Sequence, residues 1–265
     1  MLRDHGASPR ARHSLHPRRP SCPPRFNLGT FSIGGTDVPN LKVVYGTYGH
    51  LNPKKDNAIL LPSHYMADHH GYEWLIGPGL ALDTTRYFLV ATELFGNGHS
   101  SSPSNTHRPF DGPRFPVATI RDNVEAVHRL LLEDVGVTHL KAIIGFSMGA
   151  EQAFQWAVSY PDFADCIVAT AGTARAWPHG IVRLEAEIGA ITQDPGFHDG
   201  DYAEQPANGI NQVSRPIRRA NLVCFEQQHI RGVDVSVAGA SLPARSPAAT
   251  FWRTTIRVHG FKCQS

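Results

Sequence analysis

Apolar positions along this chain switch between two repeats, and the switching predicts the architecture. Leu28, Phe31 and Ile33, then Leu41, Val43, Val44 and Tyr45, lie between breakers at Gly34-Gly35 and Pro39-Asn40, which predicts an opening antiparallel pair of strands. Ala58-Ile-Leu-Leu61 and Tyr87-Phe-Leu-Val-Ala91 are short unbroken apolar runs. Such runs suit strands buried on both faces of a mostly parallel sheet. The repeat then lengthens. Ile120, Val124, Val127, Leu131 and Val135 return every three or four positions, Thr119 with Asp122 supplies a capping pattern, and Gly136 supplies a stop, so a helix is predicted between them. A strand over 140–144, a helix from Met148 to Ser159 and a strand over 166–170 follow. Alternating strand and helix implies parallel strands joined by right-handed crossovers, and the fold class is α/β.

Residues 173–215 read as helical and surface-like, with Val182, Leu184, Ile188 and Ile191 spaced by polar residues, as the start of a cap beyond the sheet. The resulting division is a basic N-terminal segment over 1–25, a core over 26–172, the beginning of a helical cap over 173–215 and a poorly patterned tail over 216–265. Charge sharpens this division. The chain of 265 residues has a formal charge of +2, but residues 1–25 set six Arg against Asp4, and residues 216–265 set seven Lys or Arg against Glu226 and Asp234. The middle is therefore acidic, and a basic body for nucleic acid is not expected there. No apolar run reaches the eighteen residues of a membrane span. Cys22, Cys166, Cys224 and Cys263 form no C-x-x-C pair, so neither a zinc site nor a disulfide framework is suggested and a reducing, cytoplasmic setting is expected. The Arg-rich start also fits an organelle-targeting segment, although its five prolines favour disorder over an amphipathic helix.

The chemistry centres on Gly145-Phe-Ser-Met-Gly149, a G-x-S-x-G string set between a predicted strand and a predicted helix. In that context the glycines permit a sharp turn that lifts the Ser147 hydroxyl clear of the sheet, beside helix N-terminal amides that would stabilise an oxyanion. The plainer alternative makes Ser147 a helix N-cap. A second oxyanion donor is expected from the loop after strand 58–61, where the Tyr65 amide is the candidate; the alternative there is an ordinary turn with an exposed aromatic. In the same loop His64, Asp68 and His69 fill three places of an H-x-H-x-D-H metal pattern, but Met66 replaces a ligand and no metal is expected. A nucleophilic serine also needs a His base and an acid to orient it, in chain order acid then His. Asp234 and His259 have that order. No convincing pair of buried strands precedes them, and a disordered tail is the competing reading. His179, His198 and His229 are the other downstream histidines.

Further strings extend the pattern: Tyr45-Gly-Thr-Tyr-Gly-His-Leu-Asn52, Ile76-Gly-Pro-Gly79, Asp83 through Arg86-Tyr-Phe88, Phe115-Pro-Val117, Thr119-Ile-Arg-Asp122, Gln152-Ala153, Trp156-Ala157 and Tyr160-Pro161. With the elbow, they make residues 26 to about 215 resemble the homoserine O-acetyltransferase-like branch of the α/β-hydrolase superfamily. The resemblance implies an α/β-hydrolase fold with an incomplete cap and C-terminal part. It also implies Ser147 as nucleophile, oxyanion amides at Tyr65 and Met148, and Arg215 as a substrate-carboxylate residue, the alternative for Arg215 being a surface salt bridge. The implied partners are a small-molecule acyl donor such as acetyl-CoA, taken as substrate with no bound cofactor, and a hydroxyl acceptor. A homodimer through the cap is implied as well. Relatives in the branch that pass the acyl group to water are esterases. Acetyltransferases of the family carry Gly-Gly-Ser-Met-Gly-Gly-Met-Gln at the elbow and His-Ala-Leu-Thr-Gly at the oxyanion loop. This chain has Gly145-Phe-Ser-Met-Gly-Ala-Glu-Gln152 and Ser63-His-Tyr-Met-Ala67 instead. Residues 216–265 do not continue the family pattern, so a chain that lacks the acid and base and serves as an interaction protein is the third expectation.

Overall fold

The computed structural model describes residues 23–65, 67–202, 206 and 254–256. Most of both basic flanks, and with them the targeting and tail expectations, lie outside the described residues. Strand β1 (Arg25–Ile33) turns at Gly34-Gly35 into β2 (Thr36–Tyr48), and the two pair antiparallel. The turn has two residues, both at positive φ, which is the backbone twist that joins two right-twisted strands tightly. Then come β3 (Ala58–Pro62), β4 (Phe88–Thr92), helix α1 (Ile120–Leu130), β5 (Ala142–Phe146), α2 (Met148–Ser159), β6 (Ile167–Thr170), α3 (Pro178–Thr192) and β7 (Thr254–Ile256). Among the described residues one sheet runs in the order β1-β2-β4-β3-β5-β6-β7. Its centre, β4-β3-β5-β6, is parallel, with antiparallel pairs on both sides.

The unbroken apolar runs occupy the centre for the expected reason. Every residue of β3 is buried, because helices or loops cover both faces there. On one face α1 and α2 pack through Val124, Val127, Leu130, Ala153 and Trp156 against Leu60, Val90 and Ile143. A buried tryptophan such as Trp156, 1% exposed, anchors this layer, and truncating such a side chain costs about 3–5 kcal/mol. On the other face Ile59, Leu61, Leu89 and Ala91 pack with Tyr72 and Leu82 from the long loop after β3. Among the described residues no helix is long and apolar enough to cross a membrane.

The sequence predicts a single helix up to Gly136. In the structure α1 is α-helical to Leu130 and continues through Leu131–Val135 as a widened π turn that ends on Gly136 at φ 70. The wider turn keeps Leu130 and Leu131 both fully buried while Glu133 reaches back to Arg129 and Asp134 accepts a 2.6 Å bond from the Tyr45 hydroxyl. At the other end the capping box is complete: Thr119 Oγ1 accepts from the Asp122 amide and Asp122 accepts from the Thr119 amide. Asp122 also accepts from the Gly34 amide in the first hairpin. Thr119→Ala should therefore lower unfolding free energy by about 1 kcal/mol in urea titration. An unchanged midpoint would show that the box contributes nothing.

Candidate active site

Three glycines and one strained serine build the turn between β5 and α2. Ser147 sits at φ 53 and ψ −122, a region that L-residues rarely occupy, and it is the residue immediately before α2. Its amide donates to the Thr170 carbonyl at the end of β6, and its carbonyl accepts from the amides of Ala150 and Glu151, so the backbone is held on both sides. The hydroxyl makes no capping bond to the helix, so the N-cap alternative accounts for its position but not for its side chain. A Cβ on Gly145 would overlap the Gly149 carbonyl, one on Gly149 would stand 2.5 Å from the Pro62 carbonyl, and one on Gly172 would stand 2.5 Å from the Ser147 carbonyl. Three segments thus close on the serine from three sides, and only glycine fits between them.

The Met148 amide begins α2, where the helix leaves its first N–H groups without intrahelical acceptors and the aligned peptide dipoles favour negative charge. The loop after β3 runs alongside. The Ser63 amide donates to Thr92, and its carbonyl accepts from Gln152 Nε2 of α2 at 2.9 Å. Tyr65 follows in this loop, half-buried rather than the exposed aromatic of the alternative reading. Its hydroxyl donates to Glu187 of α3 at 3.1 Å, and its ring packs with Ile191 and Phe197. The loop after β3 is therefore tied to α3 as well as to α2. Phe146, 44% exposed, projects beside the serine with its ring edge-to-face on His64.

Three histidines of this region are committed to carboxylates. His69 and His99 both engage the buried Glu93, which Asn97 also reaches, and His70 engages Glu73. Burial alone would raise the Glu93 carboxyl, but hydrogen bonds from His69 and Asn97 and the charge of His99 outweigh it and hold the group below its ordinary value. Among the described residues no group of three or more His, Cys, Asp or Glu side chains could hold a metal ion. Burial pushes the His64 imidazole below its ordinary value, against the opposing charge of Asp68. Among the described residues His64 Nδ1, Ser63 Oγ and Glu151 Oε2 are buried without a hydrogen-bond partner.

Of the residues singled out in the sequence, the structure brings together Ser147, Met148 and the loop that carries Tyr65. Arg215, Asp234, His259 and His229 lie outside the described residues, as does Met66. Tyr72, Gln152 and Glu151 are site residues that sequence reasoning assigned no role. Gln152 and Glu151 follow the elbow within two turns of helix, so the helical repeat could have placed them. Tyr72 stands in a loop with no repeat to mark it.

Comparison with known proteins identifies the fold family. Residues 59–216 match the family model described as alpha/beta hydrolase fold. The chain is 42% identical over 184 residues to an ethyl acetate hydrolase of Pseudomonas veronii, with 69% of this chain and 53% of that protein aligned. It is 39% identical over 248 residues to a homoserine O-acetyltransferase of Haemophilus influenzae, with 88% and 66% aligned, a span that reaches past residue 215. The solved acetyl esterase MekB superposes with a TM-score of 0.70 at 39% identity, covering 72% of this chain and 56% of that one. The chain spans about half the length of the first of these relatives.

Proposed function

This chain belongs to the alpha/beta hydrolase fold family, and we propose that it transfers the acyl group of a small ester to water through an acyl-enzyme on Ser147. The observation that carries this reading is the serine at positive φ, its hydroxyl unused by the helix and set beside the first amide of α2. The Ser147 oxygen attacks the acyl carbonyl while a base takes its proton. The carbonyl electrons move onto oxygen, which the Met148 and Tyr65 amides stabilise. The tetrahedral species collapses, the alcohol leaves with the proton from the base, and water repeats the sequence to release the acid. Asp234 and His259, which have the chain order acid then His, are the candidates for the orienting acid and the base.

The esterase form is favoured by Phe146 and Glu151, which stand where acetyltransferases of the family carry Gly and Met, and by the names of the ethyl acetate hydrolase and the acetyl esterase. A second reading, transfer from acetyl-CoA to a hydroxyl acceptor held through Arg215, is supported by the homoserine O-acetyltransferase relative. Partitioning separates them. With an activated acetyl ester, product should appear as free acetate, and millimolar homoserine should divert less than about a tenth of it to O-acetylated product. Predominant diversion would establish the transferase reading.

A further inference from the structure

Parallel strands β3 and β5 pair through Ile59 with Ala142 and Leu60 with Ile143, and the ladder between them ends there. Beyond it the two strands diverge toward the site. Pro62 ends β3 with a carbonyl facing the gap, and Phe146 ends β5 with an amide facing it. The carbonyl is buried and the amide partly so, and neither has a ladder partner across the gap, which is costly when such a group is left unpaired.

Tyr72 fills the gap from the loop on the second face of the sheet. Its side chain is 3% exposed. Its hydroxyl donates to the Pro62 carbonyl at 2.9 Å and accepts from the Phe146 amide at 3.0 Å. One oxygen thus serves both strand ends, which only a group that is donor and acceptor together can do. The fit is close: a Cβ on Gly149 would lie 2.9 Å from that same oxygen, so the hydroxyl also sets how near α2 comes to β3. Burial pushes the phenol up to about 12, against the lowering effect of the Phe146 amide, so the oxygen keeps its proton and its donor role throughout the neutral range.

The two segments joined by this oxygen are the two halves of the oxyanion site. Pro62 leads through Ser63 and His64 to Tyr65, and Phe146 leads through Ser147 to Met148. We propose that Tyr72 is a positioning residue that fixes the spacing between the oxyanion loop and the nucleophile elbow through its hydroxyl. This rests on the reading of Ser147 as nucleophile and adds to it a residue that touches no substrate. Gln152, bonded to the Ser63 carbonyl, braces the same loop from α2. An oxyanion donor displaced by a fraction of an ångström has lost most of its value, because its worth lies in being aimed before charge develops.

Tyr72→Phe keeps the ring and removes both bonds. The rate of Ser147 acylation by p-nitrophenyl acetate should fall about 10–100-fold with KM within about threefold, since ground-state binding does not use the oxyanion geometry. Exchange of the Phe146 amide with deuterium should quicken at least tenfold. Tyr72→Leu, which loses the ring too, should be less stable than Tyr72→Phe yet acylate little more slowly per folded molecule. Acylation of the Phe variant within threefold of the unaltered protein, or a large rate loss appearing only with Leu, would overturn the proposal and leave Tyr72 a packing residue. Should the variants not fold, exchange in the unaltered protein decides: a Phe146 amide as slow as Ile143 supports the bond, and a fast one overturns it. Absence of any Ser147 adduct in the unaltered protein would instead overturn the enzymatic reading itself.

Discussion

Ser147→Ala should abolish ester turnover, by on the order of 10⁴-fold or more, and remove the acyl adduct seen by intact mass. Ser147→Gly should lose activity equally but gain stability, and the pair isolates what the elbow stores. At φ 53 and ψ −122 a residue with a Cβ is strained by about 1–3 kcal/mol, and that strain persists in the Ala variant. Glycine relieves it. The expected order of unfolding midpoints is therefore Gly above Ser and Ala, with both variants inactive. The strain holds because surrounding bonds fix the turn: the Ser147 amide on Thr170, its carbonyl on Ala150, and the close passage of Gly149 under Pro62. If Ser147→Gly were no more stable than Ser147→Ala, the turn would carry no stored strain. If Ser147→Ala retained activity, the nucleophile would lie elsewhere.

The elbow was legible because its requirements are local. A G-x-S-x-G string between a strand and a helix is fixed by residues within five positions; α2 runs from Met148 to Ser159 as expected, whereas β5 spans Ala142–Phe146, two residues later than the expected 140–144, so Ser147 follows the strand directly. The centre of the sheet was legible for a similar reason, since a strand buried on both faces, such as Ala58–Pro62, has no polar position to disguise it. The π turn after Leu130 was not, because the repeat of Leu131 and Val135 fits an α-helix equally well. The roles of Tyr72 and of Glu93 were also hidden. Tyr72 meets Phe146 across 74 positions and Glu93 meets His69 across 24, and no spacing rule encodes a contact between a loop and the end of a distant strand. In the incomplete metal pattern His64, Asp68 and His69 stand close in sequence, yet His69 turns to Glu93, 24 positions away.

Glu151→Gln should stabilise the protein above neutral pH by about 2–3 kcal/mol and flatten its stability profile. Glu151 lies in the first turn of α2, where the helix dipole favours a negative side chain, yet burial wins and pushes its carboxyl up to about 7. Among the described residues its Oε2 has no hydrogen-bond partner to offset that loss of hydration. Between its ordinary value near 4.5 and about 7, the unfolded chain has released this proton while the folded chain still holds it. The native state then binds more protons, so its contribution to stability falls as pH rises through that window, by up to about 3 kcal/mol, and levels off above it. Glutamine keeps the shape without the titration. Urea midpoints of the two proteins should converge near pH 4 and separate by pH 8; parallel profiles would show that Glu151 ionises freely in the fold. The position also bears on catalysis, because Glu151 is one helical turn from Ser147 and shares the helix terminus that would receive the oxyanion. A carboxylate ionised there opposes the developing charge, whereas a neutral one does not. The Gln variant should therefore acylate faster than the unaltered protein above pH 7 and at the same rate below pH 6, so that gains in stability and in rate appear together over the same interval.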